Sequence, residues 1–298
     1  MTNTITKVFS PTKQTESDLK QLTEKIDALE LGFMNRSLAQ IGLPHSNIGE
    51  THFSRSSGLV RLSITSGEHG LPYGSYPRLL LAWICTEAVR TQNQTLQLGT
   101  NQTEFLKKLS IQNAGSTIAI MREQSNRLLT SMFKLTYADH KYRGFANLIL
   151  ASEGIELWKP FEGTWDAEFK LSTEFFEDII NNPVPIDLNV LNAIRKSPMA
   201  MDVYTWIAYR SYLVYKSGKR PVKIAWEDLR AQFGSNYGFA NDELDAEEIL
   251  KLDQQGLYDF KRKFILSLKR LSEYYPELRT IVSAYPDHLV VGGAKLIS

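Results

Sequence analysis

Apolar residues recur at steps of three and four through Gly256 to Pro276, GLYDFKRKFILSLKRLSEYYP, a spacing that demands a helix with one greasy side. Phe260, Phe264, Leu268, Leu271 and Tyr275 share that side. Tyr258, Arg262 and Lys269 lie opposite, with Lys261, Lys263 and Arg270 on the flanks. Pro276 cannot continue the helix and ends it. The stretch holds five Lys/Arg against Asp259 and Glu273, whereas the whole chain has a formal net charge of only +1, so the cationic excess is local. A basic face on a lone helix reads as a solvated surface. Here the helix has a counterpart earlier in the chain, in the same structural context.

With 298 residues, 43% hydrophobic and 22% charged, the chain can bury a real core in one large domain or two ordinary ones. Near-neutrality decides little, since acidic stretches can hide a basic surface in the sum. Cys85 is the single cysteine, which excludes an intramolecular disulfide and any multi-cysteine zinc site. It falls in an apolar helical pattern and is expected to be a buried small hydrophobe. The opening MTNTITKVFSPTKQTESD lacks the apolar core of a signal peptide, and no apolar run reaches the roughly 18 residues of a membrane span. A soluble, cytoplasmic protein is expected.

In chain order, Leu19 to Ile41 has helical spacing and Gly42 to Gly58 reads as a connecting loop. Leu59 to Thr65 alternates as a half-buried strand. Pro77 to Thr91 predicts a helix, Leu96 to Leu98 a short strand, and Asn101 with Glu104 a capped start for a helix over Gln102 to Leu109. A third helix spans Ser116 to Phe133, followed by strand-like pieces over 134–137, 145–151 and 166–172. After a short helix, Thr173 to Asn181, the run Asn182-Pro183-Val184-Pro185 predicts a rigid break. The second half repeats the outline. It has helices over 187–196 and 199–217, a strand over 222–225 and a helix over 226–233. An acidic insert over 235–255 precedes the basic helix, and strands over 278–284 and 288–291 close the half.

Each half thus reads as a Trp-containing helix, a short strand, a short helix and a longer helix, closed by a β-hairpin. Trp83 to Phe105 and Trp206 to Leu229 span nearly the same distance. The pattern predicts an α+β protein of two tandem winged-helix domains, whose helix-turn-helix units present their second helix to the major groove. The expected boundaries are 1–58 for an N-terminal helix and linker, 59–182 for the first winged helix and 183–298 for the second.

No active site can be assembled from the residues. The five histidines are scattered with no metal-ligand spacing, and no glycine-rich loop is followed by Lys-Ser/Thr. Glu168-Phe169-Lys170 imitates a nuclease Glu-x-Lys but reads as a surface strand. The expectation is no catalysis, no metal and no cofactor. The remaining signal is cationic. On the first-half helix Ser116, Thr117, Arg122 and Arg127 are placed to reach base edges or phosphates, and Lys134, Lys141 and Arg143 to contact the backbone from the wing side. In the second half Tyr258, Lys261, Arg262, Lys263, Lys269 and Arg270 form a denser set.

The stretches YPRLLLAWICTEAVRTQ from Tyr76, TEFLKKL from Thr103, EFFEDIINNPVPIDLNVLNAIRKSPMAMDVYTWIAYRSY from Glu174, WEDLRAQFGSNY from Trp226 and FKRKF from Phe260 resemble the plasmid-encoded RepA family of replication initiators. The likeness runs from about Gly58 to Val291. It implies a protein that binds repeated duplex DNA sequences at a plasmid origin and helps recruit host replication proteins, the host initiator and the replicative helicase. It leaves room for a homodimer, and no membrane is involved. Insertion of 241–253 between the second pair of helices departs from a compact helix-turn-helix. The rival readings are a winged-helix transcriptional repressor and a DNA-processing enzyme, a nickase or primase.

Overall fold

Two helices carry the core of the protein, whose computed structural model describes residues 31–139, 143–154, 168–234 and 246–294. Helix α2 (Ser75–Thr91) is buried without interruption from Pro77 to Cys85, and helix α7 (Pro198–Ser217) from Met199 to Ala208. Apolar residues on every side mark helices wrapped by the rest of the chain. α7 starts with Pro198 at its first turn and Ser197 as cap, the Ser197 hydroxyl accepting from the Ala200 N–H at 3.3 Å. It stops at Gly218, whose φ of 60° closes the helix in the left-handed region.

Each of these helices opens the same sequence of elements. After α2 come β4 (Thr95–Gln97), α3 (Gln102–Lys108) and α4 (Gly115–Thr130), then β7 (Ala151–Gly154) and β8 (Glu168–Leu171), with strand order β4-β8-β7. After α7 come β10 (Val222–Ala225), α8 (Trp226–Phe233) and α9 (Ala246–Tyr274). A four-residue helix, α10 (Leu278–Ile281), then leads into β11 (Val282–Ala284) and β12 (His288–Val291), with strand order β10-β12-β11. In both, the short strand between helices pairs with the last strand, not the nearer one. The aromatic packing repeats too: Trp83 meets Phe105 edge-on at 5.1 Å, and Trp206 meets Phe233 edge-on at 5.4 Å.

The first half carries an addition. Strands β2 (His52–Ser57), β3 (Val60–Thr65), β5 (Met132–Ala138) and β6 (Arg143–Ile149) form an antiparallel sheet in that order. It buries Phe53, Leu62, Ile64, Phe133, Leu135 and Leu148, while α8 of the other half packs on β2. The buried residues of both halves form one continuous core.

Several sequence expectations are corrected. Residues 31–35 are not helical. They form β1 (Leu31–Asn35), paired antiparallel with β9 (Pro183–Asp187), so the expected rigid break is a strand. Both prolines lie opposite alternate residues, Phe33 with Pro185 and Asn35 with Pro183. At such alternate pairs the N–H groups point away from the partner strand, so a missing donor costs the ladder nothing. The same geometry frees the Phe33 N–H for Thr86 Oγ1 at 2.9 Å and the Asp187 N–H for the Tyr204 hydroxyl at 2.7 Å. β1 is buried at all five positions, so no period-2 alternation marked it as a strand. Asn35 then caps the short helix α1 (Arg36–Gln40), accepting from Ser37 and Leu38. The expected loop over 42–58 contains β2, whose polar HFSRSS sequence masks it. The expected strand over 278–284 is half helix. The basic helix starts at Ala246, ten residues before Gly256, which absorbs much of the acidic insert. Residues 1–30 and 235–245, including Asp242, Glu243 and Asp245, lie outside the described residues.

Cys85 is fully buried, as expected, and burial pushes its thiol far above the ordinary range. The Asn101 cap also holds: its Oδ1 accepts from the Glu104 N–H at 2.9 Å, and Glu104 reaches back to the Thr100 N–H at 2.8 Å.

Candidate nucleic-acid interface

Helix α9 stands on its aromatic side. Phe260, Phe264, Leu268 and Leu271 are buried, and Phe264 is ringed by Trp226, Phe233, Phe260 and Trp206 at centroid distances of 5.6 to 6.5 Å. Full burial of such a ring contributes roughly 1.5–3 kcal/mol. That anchoring holds the opposite side in solvent, where Tyr258, Arg262, Lys263, Lys269 and Arg270 are exposed. Arg262 lies 3.4 Å from Asp259 one turn away, but its side chain keeps 62% exposure. An ion pair in water is screened and weak, so the cation stays available. Leu266, also exposed, sits among these charges where the amphipathic pattern calls for a polar residue.

Lys261 has a different task. Its ammonium donates to the Pro286 carbonyl at 2.5 Å and lies 5.3 Å above the Trp226 ring. Trp226 Nε1 donates to the Tyr285 carbonyl at 3.0 Å, so the two residues latch the β11–β12 turn to the helices. Two acidic residues of the insert have partners within the second half. Asp253 pairs with Arg230 of α8 at 2.7 Å, and Glu247 with Lys251 one turn along at 2.8 Å.

In the first half, α4 exposes Ser116 and Arg122, while Thr117 is half-buried. Arg127 is spent on packing: it pairs with Glu123 at 2.8 Å, donates to the Leu71 carbonyl at 3.1 Å and covers the Tyr73 ring at 5.2 Å. The solvent side of the four-stranded sheet gathers more charge. Cross-strand register aligns Arg61 with Thr136, Thr136 with Phe145, and Ala138 with Arg143. Lys134, paired with Ser63 and Asn147, sits 4.9 Å over the exposed Phe145 ring. No Asp or Glu shares this side of the four strands. Arg61 and Phe145 were missed from the sequence, because only the β3–β5–β6 pairing brings them beside Lys134 and Arg143. Lys141 lies outside the described residues.

The two halves are bolted together by charge. Arg78 of α2 and Asp202 of α7 form a buried bidentate pair, Nε to Oδ1 and Nη2 to Oδ2, both at 2.6 Å. Arg78 also donates to the carbonyls of Leu43, Pro44 and Gly74, so its donors are matched in the interior. His45 completes the cluster at 3.0 Å from Asp202. Burial raises the Asp202 carboxyl, but Arg78 and His45 outweigh it and hold the group below its usual range; burial first, then the Arg78 and Arg55 charges, push the His45 imidazole down against the pull of Asp202. Gly42 is required here, since a Cβ would lie 1.9 Å from Asp202 Oδ2. A sequence signal existed: Arg78 and Asp202 each sit inside an apolar helical run, where a charge must be paired.

Among the described residues no cluster of His, Cys, Asp and Glu could hold a metal, and no helix is long and apolar enough to cross a membrane. Glu168 of the nuclease-like triplet is hydrogen-bonded by the Gln97 side chain across the β4–β8 pair.

The family model for plasmid encoded RepA protein matches residues 71–228, more than half of the chain. The chain belongs to the plasmid-encoded RepA family of replication initiators. Its fold is similar to the crystal structure of domains 2 and 3 of RctB. That match covers 92% of this chain and 99% of the other at 11% identity, with a TM-score of 0.51. A second structure of RctB domains 2–3 matches 83% of each chain at 13% identity with a TM-score of 0.41. No curated protein matches the sequence. In this RepA-family chain the matched region spans α2 through the start of α8, so it contains the Arg78–Asp202 bolt but stops short of α9.

Proposed function

We propose that the chain initiates plasmid replication in the bacterial cytoplasm by binding repeated duplex DNA sequences at the origin through two winged helices. α4 and α9 are the helices offered to the major groove, the β11–β12 hairpin is the wing of the second half, and Lys134 and Arg143 on β5 and β6 contact the backbone from the wing side of the first. The observation that carries this reading is the exposed cationic side of α9, rigidly backed by the Phe264 cluster, within an element order that α2–β8 repeats. Phosphate contacts from Arg262, Lys263, Lys269 and Arg270 would position the protein, and Ser116 and Thr117 would weigh on base choice. The protein acts by binding, without turnover, and helps recruit host replication proteins, the host initiator and the replicative helicase.

Footprinting of the purified protein on DNA carrying its own gene and flanks tests this. Repeated protected segments in the flank are expected. Protection confined to the promoter would favour a repressor of the same fold. Metal-dependent nicking abolished by a single carboxylate substitution would make the protein an enzyme.

A further inference from the structure

A cleft of about 610 Å³ opens between the halves. Its walls include Tyr76, Thr117, Ile120 and Gln124 from the first half and Arg195 and Lys196 from the second. Among the described residues no Asp or Glu lines it. Building on the DNA reading above, we propose that this cleft seats the backbone of the bound duplex, one phosphate against Lys196 and the adjoining sugar against Ile120.

The sign of the cleft is uniform. Arg195 and Lys196 immediately precede Ser197-Pro198, so the partial positive charge at the start of the 20-residue α7 adds to theirs. The turn that carries them is held from the first half at two points. The Arg195 carbonyl accepts from the Ser75 hydroxyl, and its guanidinium Nη1 donates to the Ser110 carbonyl at 2.8 Å. Arg195 is therefore largely spent on fixing the turn, which leaves the exposed Lys196 as the presented cation. A charge whose backbone is already fixed loses less freedom on binding. On the facing wall Ile120 is 42% exposed, one turn from Ser116 and Thr117, and offers an apolar surface suited to a deoxyribose. The wall also keeps an unmatched donor. Gln124, only 2% exposed, accepts from the Tyr73 N–H at 2.8 Å through Oε1, while its Nε2 is buried with no partner. A buried donor of this kind is a standing cost that an anionic oxygen entering the cleft would offset. Lys196 would then touch the same strand as α4, at a spacing set by the Arg78–Asp202 bolt.

The test uses the full chain and a short random-sequence duplex, since backbone contacts do not depend on sequence. Affinity is followed by anisotropy between about 50 and 200 mM salt. Thermal melting confirms that each variant folds, which the exposure of both altered positions favours. Lys196→Gln should lower the salt slope by about one. Ile120→Glu, which sets a carboxylate against the phosphate, should weaken binding roughly tenfold or more. Arg262→Ala on α9 serves as reference. Wild-type affinity and slope in both cleft variants, with Arg262→Ala weakened, would overturn the cleft and leave the α9 reading standing. Wild-type behaviour in all three would overturn both.

Discussion

Helices α4 and α9 hold equivalent places in the two halves and spend their surfaces differently. α4 has 16 residues; of its two arginines, Arg122 is exposed and Arg127 is locked against Glu123, Leu71 and Tyr73. α9 has 29 residues and exposes Arg262, Lys263, Lys269 and Arg270 above its aromatic base. The first half makes up the difference elsewhere, on a four-stranded sheet that the second half lacks and at the cleft shared with Lys196. One element order therefore supports two kinds of cationic surface. In one the charge rides on a single helix; in the other it is spread over elements that only the tertiary fold unites. The comparison depends on the halves being held at a fixed spacing, and both the continuous apolar core and the buried charge cluster cross between them.

The largest effect is expected at the bolt. Asp202→Ala leaves Arg78 buried without its carboxylate and should cost about 3–5 kcal/mol in urea unfolding. If the pair is what unites the halves, the variant should unfold in two steps where the wild type shows one. A single transition in the variant would mean that the apolar core alone makes them cooperative. Replacing both partners, Arg78→Met with Asp202→Leu, should recover part of the loss: no orphan charge remains, but the Leu43, Pro44 and Gly74 carbonyls lose the Arg78 donor.

A smaller effect separates the two cationic surfaces. The double variant Arg262→Ala/Lys269→Ala should weaken binding to any duplex and reduce the salt slope by about two. Arg122→Ala/Lys134→Ala should do less, since Lys134 is partly engaged with the Phe145 ring. Equal slopes in the two variants would erase the asymmetry drawn between α4 and α9.

The smallest expected effect is on pH dependence. Burial holds the His45 imidazole below its ordinary 6.5, so the unfolded chain binds the proton first as pH falls. The stability from neutral His45 is complete above that value and is lost progressively below it, and Asp202 adds a second loss below its ordinary 3.8. His45→Asn should flatten the fall in thermal midpoint between about pH 7 and 5. An unchanged profile would show that another group titrates there.

The elements that were legible in the chain are those whose signal is local. The apolar stripe of α9, the Asn101 cap, the Ser197-Pro198 start of α7 and the alternation of β3 all follow from spacing over a few residues. The misread strands lack that local signal: β2 pairs with its neighbour β3 but is hidden by its polar sequence, whereas two others have only a distant partner. β1 pairs with β9 some 150 residues away. Its spacing resembled a helix because it is buried throughout, and β9 resembled a break because its prolines are tolerated only in that register. Arg127 and Lys261 read as free cations in the sequence, but the fold sets the Leu71 and Pro286 carbonyls beside them.

The amino-acid sequence by itself determined the repeated order of helices and strands, the amphipathic build of α9 and membership of the RepA family. Each is written in residue spacing or in contiguous motifs. Which cations remain free, how Arg61 and Phe145 come to lie beside Lys134, and what holds Lys196 opposite Ile120 were decided by tertiary structure alone. Those outcomes rest on contacts between residues far apart in the chain, such as Arg78 and Asp202, and such contacts leave no local periodicity to read.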